Sequence, residues 1–219
     1  MSRREALLQA TKALLWRRGY AATSPADILK ESRSGQGSLY HFFKGKEELA
    51  ALALREVEQE SSQRIAAVCA PDTGTGLERL ERFLLADRDA LQGCRLGRMT
   101  QDPELPDSLR STVSDGLGRL QAVLADAARD AKREDALPAG LDADALADVA
   151  IAVVQGGYVL SRAHQDPSRM TSVVRTFHAL LQLCSPPKQP TRKRPAKARS
   201  GPKARQTKTS RKPRKVPHA

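Results

Sequence analysis

Aromatic residues and cysteines are scarce in this 219-residue chain, and each scarcity excludes something. One Trp, three Tyr and four Phe leave the apolar content to Leu, Ala, Val and Ile, a balance that favours helices over a sheet. The three cysteines, Cys69, Cys94 and Cys184, stand far apart with no C-x-x-C spacing. That is neither a disulfide framework nor a zinc site, so a reducing cytoplasm is the expected compartment. Long apolar runs are missing too. The opening "MSRREALLQATKALLWRRGY" is broken by charge throughout, lacks the apolar core of a signal peptide, and no later stretch reads as a membrane span. A soluble, intracellular protein with no membrane partner is expected.

Chemistry-bearing clusters are also missing. No nucleophile stands with a base, no Gly-rich loop cradles a phosphate, and His164 and His178 have no carboxylate or Cys companion at ligand spacing. Cys94 carries no mark of a lowered pKa and reads as an inert buried thiol. No catalytic residue, metal or cofactor is expected.

What is present is unevenly distributed charge. Of the formal +12, residues 1–48 carry 9 basic against 5 acidic side chains, whereas residues 186–219 carry 13 Lys and Arg and no Asp or Glu. The part between is net acidic. A basic run of that length without counter-charge suits a polyanion-binding arm better than a merely solvated surface.

Apolar spacing predicts helix almost throughout residues 3–184. Leu7, Ala10 and Leu14 recur at three- and four-residue steps, with Gly19 as a stop. Ser24 as N-cap, Pro25 at the first helical position and Asp27 in capping-box place open a second helix of about two turns. Leu39 and Phe43 share a face of a third, and a long fourth starts near Lys46. After the linker "PDTGTG", the segments "LERLERFLLADRDALQ", "SLRSTVSDGLGRLQAVLADAARDAKRE", "ADALADVAIAVVQGGYVLSRAH" and "SRMTSVVRTFHALLQLC" read as four more helices. The turn signals "GCRLG", "DPELPD", "LPAGLD" and "QDP" separate them. Strand-like alternation with hairpin turns is nowhere found, so the fold class is all-α.

Two short helices joined by a tight turn at about residues 32–36, braced by a preceding helix, form a helix-turn-helix, whose second helix enters the major groove of DNA. "SGQGSLYHFFKGKEELA" suits that task. Gln36 offers donor and acceptor to a base edge, and Gly37 lets the backbone come close. Ser38, Tyr40 and His41 can meet phosphate oxygens, and Lys46 adds a cation at the next helix start. Singly, each has a duller explanation, as cap, core aromatic or surface residue.

Together they are more specific. "LLWRRGYAATSPADILKESRSGQGSLYHFFKGKEEL" resembles the DNA-binding head of the TetR/AcrR family of bacterial transcriptional regulators, with Leu15, Gly19, Tyr20, Thr23, Ile28, Gly37, Ser38, Leu39, Tyr40, Phe43, Lys46 and Leu49 at the family's spacing. The resemblance implies a three-helix head whose third helix reads the groove, a fourth helix leading into a regulatory domain, and homodimers on a roughly palindromic operator. Three departures stand out. Arg33, Ser34 and Gly35 replace the frequent Gly-Val-Ser of the turn, which reads as a retuned turn with Arg33 at a phosphate. Phe42 stands where many members carry a second His, and Pro25 can donate nothing to a base. With Ser24 at the cap, the DNA-facing set is Ser24, Arg33, Gln36, Gly37, Ser38, Tyr40, His41 and Lys46.

"GCRLGRMTQDPEL" and "LPAGLDADALADVAIAVVQGGYVLSRAHQDPSRM" resemble the regulatory domain of the subgroup related to the LmrA and YxaF repressors. That implies an unidentified small-molecule effector in a cavity that Phe83, Leu91, Met99, Leu120, Val154 and Tyr158 could line. It also implies a dimer interface on the last two helices, where Val153, Gly156, Gly157 and Leu160 offer small and branched surfaces. The expected organisation is a helix-turn-helix domain over 1–62, a helical regulatory and dimerisation domain over 63–185, and a disordered basic tail over 186–219. The seven prolines of the tail and its lack of aromatics keep it from folding alone. It is either a solubilising end or a sequence-blind grip on DNA, and its charge favours the grip. The reading is a sequence-specific regulator, a repressor released by its effector, acting in the cytoplasm at the nucleoid. An architectural nucleoid protein relying on the tail is the alternative. An enzyme is disfavoured.

Overall fold

Side-chain oxygens placed at helix starts set much of the chain's phrasing. In the computed structural model, which describes residues 2–184, Ser2, Ser24 and Thr75 each accept from the backbone N–H three residues on, while Glu5, Asp27 and Glu78 answer with reciprocal bonds. These capping boxes open α1 (Arg3–Arg18), α2 (Pro25–Glu31) and α5 (Gly76–Leu85). Between them lie α3 (Ser38–Phe42) and α4 (Lys46–Val68), and beyond them α6 (Arg95–Met99), α7 (Asp107–Arg133), α8 (Ala143–His164) and α9 (Ser168–Cys184). The described residues contain no strand, and the all-α expectation holds.

Three helix ends use a left-handed residue other than glycine: Arg33 after α2, Asp135 after α7 and Gln165 after α8. At each, the next N–H reaches back to the carbonyl five residues before it: Ser34 to Leu29, Ala136 to Ala131 and Asp166 to Ser161. This is the Schellman closure, which satisfies carbonyls that the helix leaves orphaned.

Two expectations for the body are corrected. The helix expected through Gln92 stops at Leu85, because Arg88 turns back on it. Its Nη1 donates to Leu84 O (2.9 Å) and Ala86 O (2.6 Å), and its Nη2 to Phe83 O. The turn expected at "GCRLG" contains α6, where Cys94 Sγ accepts from Gly97 N (3.3 Å) and Leu96 and Met99 are buried. By length and composition alone, α8 is long and apolar enough to cross a membrane. Its Ala147, Ala150, Val154 and Gly157 are instead buried in the bundle, packed on α7 and α9.

Two apolar cores result. One joins Leu7, Leu8, Leu14 and Leu15 of α1 to Ile28, Leu39 and Phe43, to Leu49 and Leu54 of α4, and also to Leu96, Met99, Leu109 and Val113 further along the chain. The other lies among α5, α7, α8 and α9, with Ala127, Ala128 and Ala131 of α7 fully buried. There α5 comes so near that a Cβ on Gly76 would collide with the backbone of Ala127 and Ala131. Only glycine fits that approach.

The second core holds one charge, Arg79, 3% exposed. It pairs with Asp130 and donates to Cys69 O (3.4 Å). The hydrogen bond from Arg79 holds the Asp130 carboxyl below its ordinary pKa, with Arg133 assisting. Asp130→Ala should cost about 3 kcal/mol in urea denaturation at neutral pH, since it strands a buried guanidinium. A depressed carboxyl pKa stabilises above the unfolded-state value and is lost as pH falls through the folded one. The gap between parent and variant should therefore close on acidification. A gap that persists at low pH would contradict the pairing.

Candidate nucleic-acid interface and effector cavity

Leu39, fully buried, and Phe43, 3% exposed, anchor α3 to the head core, and this anchoring decides what the other face shows. Gln36, Gly37, Tyr40 and His41 are exposed and Ser38 is half-buried, with Tyr40 at 65%. These five expected residues thus come together on one outward surface, with exposed Arg33 at the edge of the turn. The exposed Lys44 adjoins them and was missed, because a lone Lys in a loop carries no motif.

α3 begins just past the turn expected at about residues 32–36. The first α-helical residue is Ser38, and Gln36 lies in the turn before it. Ser38 N donates to Gly35 O (2.9 Å) and His41 N to Gly37 O (3.1 Å), so Gln36 is held one step outside the helix, at its N-terminal mouth. A Cβ on Gly37 would meet nothing within 4 Å, and its φ of −79° is ordinary. The fold makes no steric demand for glycine there.

Arg33 takes φ 53°, the left-handed conformation that a glycine adopts without cost. Ser24 is exposed, but its Oγ accepts from Asp27 N (3.1 Å) and donates to Asp27 Oδ2 (2.5 Å). Those bonds hold the Asp27 carboxyl below its usual pKa. Lys46, expected at a phosphate, is turned inward. Its Nζ donates to Tyr20 O (2.9 Å) and sits 3.9 Å from the Tyr20 ring centroid. It pins the corner after α1 to the start of α4.

That corner is gripped from the body as well. Asp102 Oδ2 accepts from Tyr20 N (2.6 Å) and Ala21 N (2.9 Å). A Cβ on Gly19, at φ +85°, would lie 2.8 Å from the same oxygen. Sequence offered no signal for Asp102, since its partners lie 81 and 82 residues away.

The body contains a cavity of about 530 Å³ between α4, α5, α7 and α8. Of the residues expected to line it, Phe83, Leu120, Val154 and Tyr158 do. Met99 does not: it is fully buried in the head core. Leu91 does not either, being 39% exposed in the loop left when α5 stops short. Unexpectedly, Trp16 of α1 reaches the wall. Its Nε1 donates to Gly93 O (2.9 Å), and the Arg95 guanidinium stacks 4.6 Å from its ring centroid.

On α8 the expected interface residues divide. Gly157 faces inward, where a Cβ would meet Met170 Sδ at 2.6 Å, so it serves the contact with α9 and not a partner. Val153 is half-buried against the bundle core. Gly156 has open space and Leu160 is exposed, with Val149, Leu180 and Leu183 also exposed nearby in sequence or on α9. The tail, with its expected disorder, lies outside the described residues.

Residues 7–53 match the model for bacterial regulatory proteins of the tetR family, and residues 76–177 that for the tetracyclin repressor-like C-terminal domain. The transcriptional regulator AcuR of Cereibacter sphaeroides is 25% identical over 79% of this chain and 82% of its own. The regulator YxaF of Bacillus subtilis is 26% identical over 82% of this chain and 95% of its own. Among solved structures, a regulatory protein TetR from Rhodobacter sphaeroides superposes with a TM-score of 0.72 at 26% identity, covering 80% of this chain and 96% of that one.

Arg33 makes a sharp test because its backbone and side chain serve different ends. Arg33→Gly relieves a left-handed strain of about 1–2 kcal/mol against an unfolded-state entropy of about 0.5–1 kcal/mol. Thermal stability should stay level or rise. If the side chain meets a phosphate, the salt slope of DNA binding should fall by about 0.9 per subunit. An unchanged slope removes Arg33 from the interface.

Proposed function

The chain belongs to the TetR family of bacterial regulatory proteins and is a helix-turn-helix transcriptional regulator, and from that premise we propose how its parts divide the work. Two copies bind a roughly palindromic operator, each placing α3 in a major groove about 34 Å from the other. A small molecule in the body cavity releases them, so that binding represses and the effector relieves repression. Residues 1–62 read DNA, residues 63–185 pair the subunits and hold the effector, and residues 186–219 add a sequence-blind grip near the operator. The protein then acts in the cytoplasm, at the nucleoid, and performs no catalysis.

The observation that carries this reading is the outward row Gln36, Gly37, Tyr40 and His41 on a helix start whose buried face is fixed by Leu39 and Phe43. Gln36 at the mouth of α3 can pair with a base edge, while Tyr40, His41, Ser38, Arg33 and the peptide N–H groups there meet phosphates. Bulk binding has no need of such a row.

Coupling has a physical route. α4 contributes Leu49, Leu54 and Val57 to the head core and Ser61, Ile65 and Val68 to the cavity wall. An effector that shifts its last turns tilts the head, and the two recognition helices lose their spacing. Support for pairing comes from the exposed Val149, Leu160, Leu180 and Leu183 of α8 and α9, an apolar surface that a second copy would cover.

Footprinting on a selected duplex should show one discrete inverted repeat for the parent, and Gln36→Ala with Tyr40→Ala should abolish it while leaving the melting temperature within about 2 °C, as expected of exposed sites. Uniform coverage by the parent would favour the architectural reading. Truncation after Ser185 should flatten the salt dependence, at about 0.9 per neutralised phosphate, and leave the preferred sequence unchanged. An unchanged slope would make the tail a mere solubilising end.

A further inference from the structure

Arg88, which folds back to close α5, has only neutral partners for its guanidinium: the carbonyls of Phe83, Leu84 and Ala86 and the Phe83 ring, 5.1 Å from centroid to Cζ. Burial lowers its pKa, against the opposing fields of Tyr158, Cys94 and Asp87. A charge taken from water without a counter-ion is costly, and this one borders an empty volume of about 530 Å³.

The rest of the lining sharpens the asymmetry. Three other guanidinium groups border the cavity, from Arg64, Arg95 and Arg119. Arg119 is taken by Glu58 (2.7 Å) and Arg95 by Glu60 (3.2 Å). Arg64 and Arg88 make no ion pair within 4 Å among the described residues, but Arg64 is exposed and in the field of Glu60, whereas Arg88 is half-buried. The lining carboxylates, Asp87 and Asp89, are both exposed, and Asp89 Oδ1 already accepts from Gln92 N (3.0 Å). Tyr158 stands in the fields of the Arg88 and Arg64 guanidinium groups and, opposing them, of Asp89, and has no hydrogen-bond partner among the described residues. Burial pushes its hydroxyl up to about 12, so it remains a donor throughout the physiological range. Much of the remaining wall is apolar, from Ile65, Leu120, Val123, Ile151 and Val154, with Ser61, Ser62 and Gln155 adding polar groups.

We propose that the cavity takes a small monocarboxylate with an apolar body, its carboxylate set against Arg88 and Arg64 with the Tyr158 hydroxyl donating to it. The proposal rests on the effector role given to the cavity above and names the class of effector. A largely apolar wall with the half-buried Arg88 and the exposed Arg64 near Tyr158 suits an amphipathic anion, because the carboxylate supplies Arg88 with a counter-charge while the chain displaces water from apolar surface. A cationic ligand would meet those same unpaired charges and be repelled.

Trp16, the chain's one tryptophan, lines the cavity and reports its filling. The full-length protein is titrated with octanoate, octan-1-ol and octylammonium, following Trp16 emission and the melting temperature. Octanoate should bind about tenfold more tightly than octan-1-ol, the worth of one charge-assisted hydrogen bond, and octylammonium should give no response. Arg88→Leu should remove that preference. Because Arg88 also closes α5, Arg64→Gln and Tyr158→Phe, which close no helix, should each weaken octanoate several-fold and leave octan-1-ol unchanged. Equal affinity for octanoate and octan-1-ol, or equal losses for both probes in those two variants, overturns the carboxylate subsite while leaving the cavity as an effector site. Silence with all three probes overturns it too, and a footprint from the same preparation judges the regulator reading separately.

Discussion

The ammonium of Lys12, 8% exposed, lies between Glu56 (2.6 Å) and Glu60 (2.7 Å) and bolts α1 to α4. Burial works against its charge, but the hydrogen bonds and fields of the two carboxylates outweigh it and leave its pKa raised. Much else depends on this clamp. Glu60 also takes Arg95, Arg95 stacks on Trp16, and Trp16 holds Gly93 at the rim of the cavity. One charged network thus ties the first helix, the long fourth helix and the cavity wall into a single mechanical unit.

The exposed face of α3 has no comparable support of its own. It is five residues long, too short to persist alone, and it exists because Leu39 and Phe43 are sunk into a core that other helices fill. That core is completed from the body by Leu96, Met99, Leu109 and Val113, while Asp102 grips the corner between α1 and α2. Where the exposed groups of α3 point is therefore a property of the whole folded chain, and the head core and the cavity wall are joined along α4 and through the Trp16 seam.

Local signals were legible in the sequence and distant ones were not. Ser24, Pro25 and Asp27 announce the start of α2, and Leu39 and Phe43 announce the buried face of α3, because caps and periodicity act over three or four residues. The outward row from Gln36 to His41 follows from that register, and Phe83, Leu120, Val154 and Tyr158 do meet around the cavity. What escaped depends on long-range contact. Arg88 ends α5 early by folding back on its carbonyls, which periodicity cannot foresee. Met99 looked like a cavity residue but is drawn into the head core by α6, a helix hidden in an apparent turn. Lys46 looked like a phosphate ligand but finds Tyr20 nearer. Gly156 and Gly157 are neighbours in sequence, yet α8 turns only the second toward Met170.

The reach of the body into the head core bears on how such a protein could be re-engineered. A graft that cut the chain between α4 and α5 and moved residues 1–68 onto another scaffold would leave behind Met99, Leu105 and Leu109, all buried against it here. The transplanted piece would carry a raw apolar scar where they had been, and would inherit whatever tilt its new host imposed. On the proposed function, redirecting this protein to another promoter would mean repainting a few side chains at the mouth of α3, with the chassis left whole.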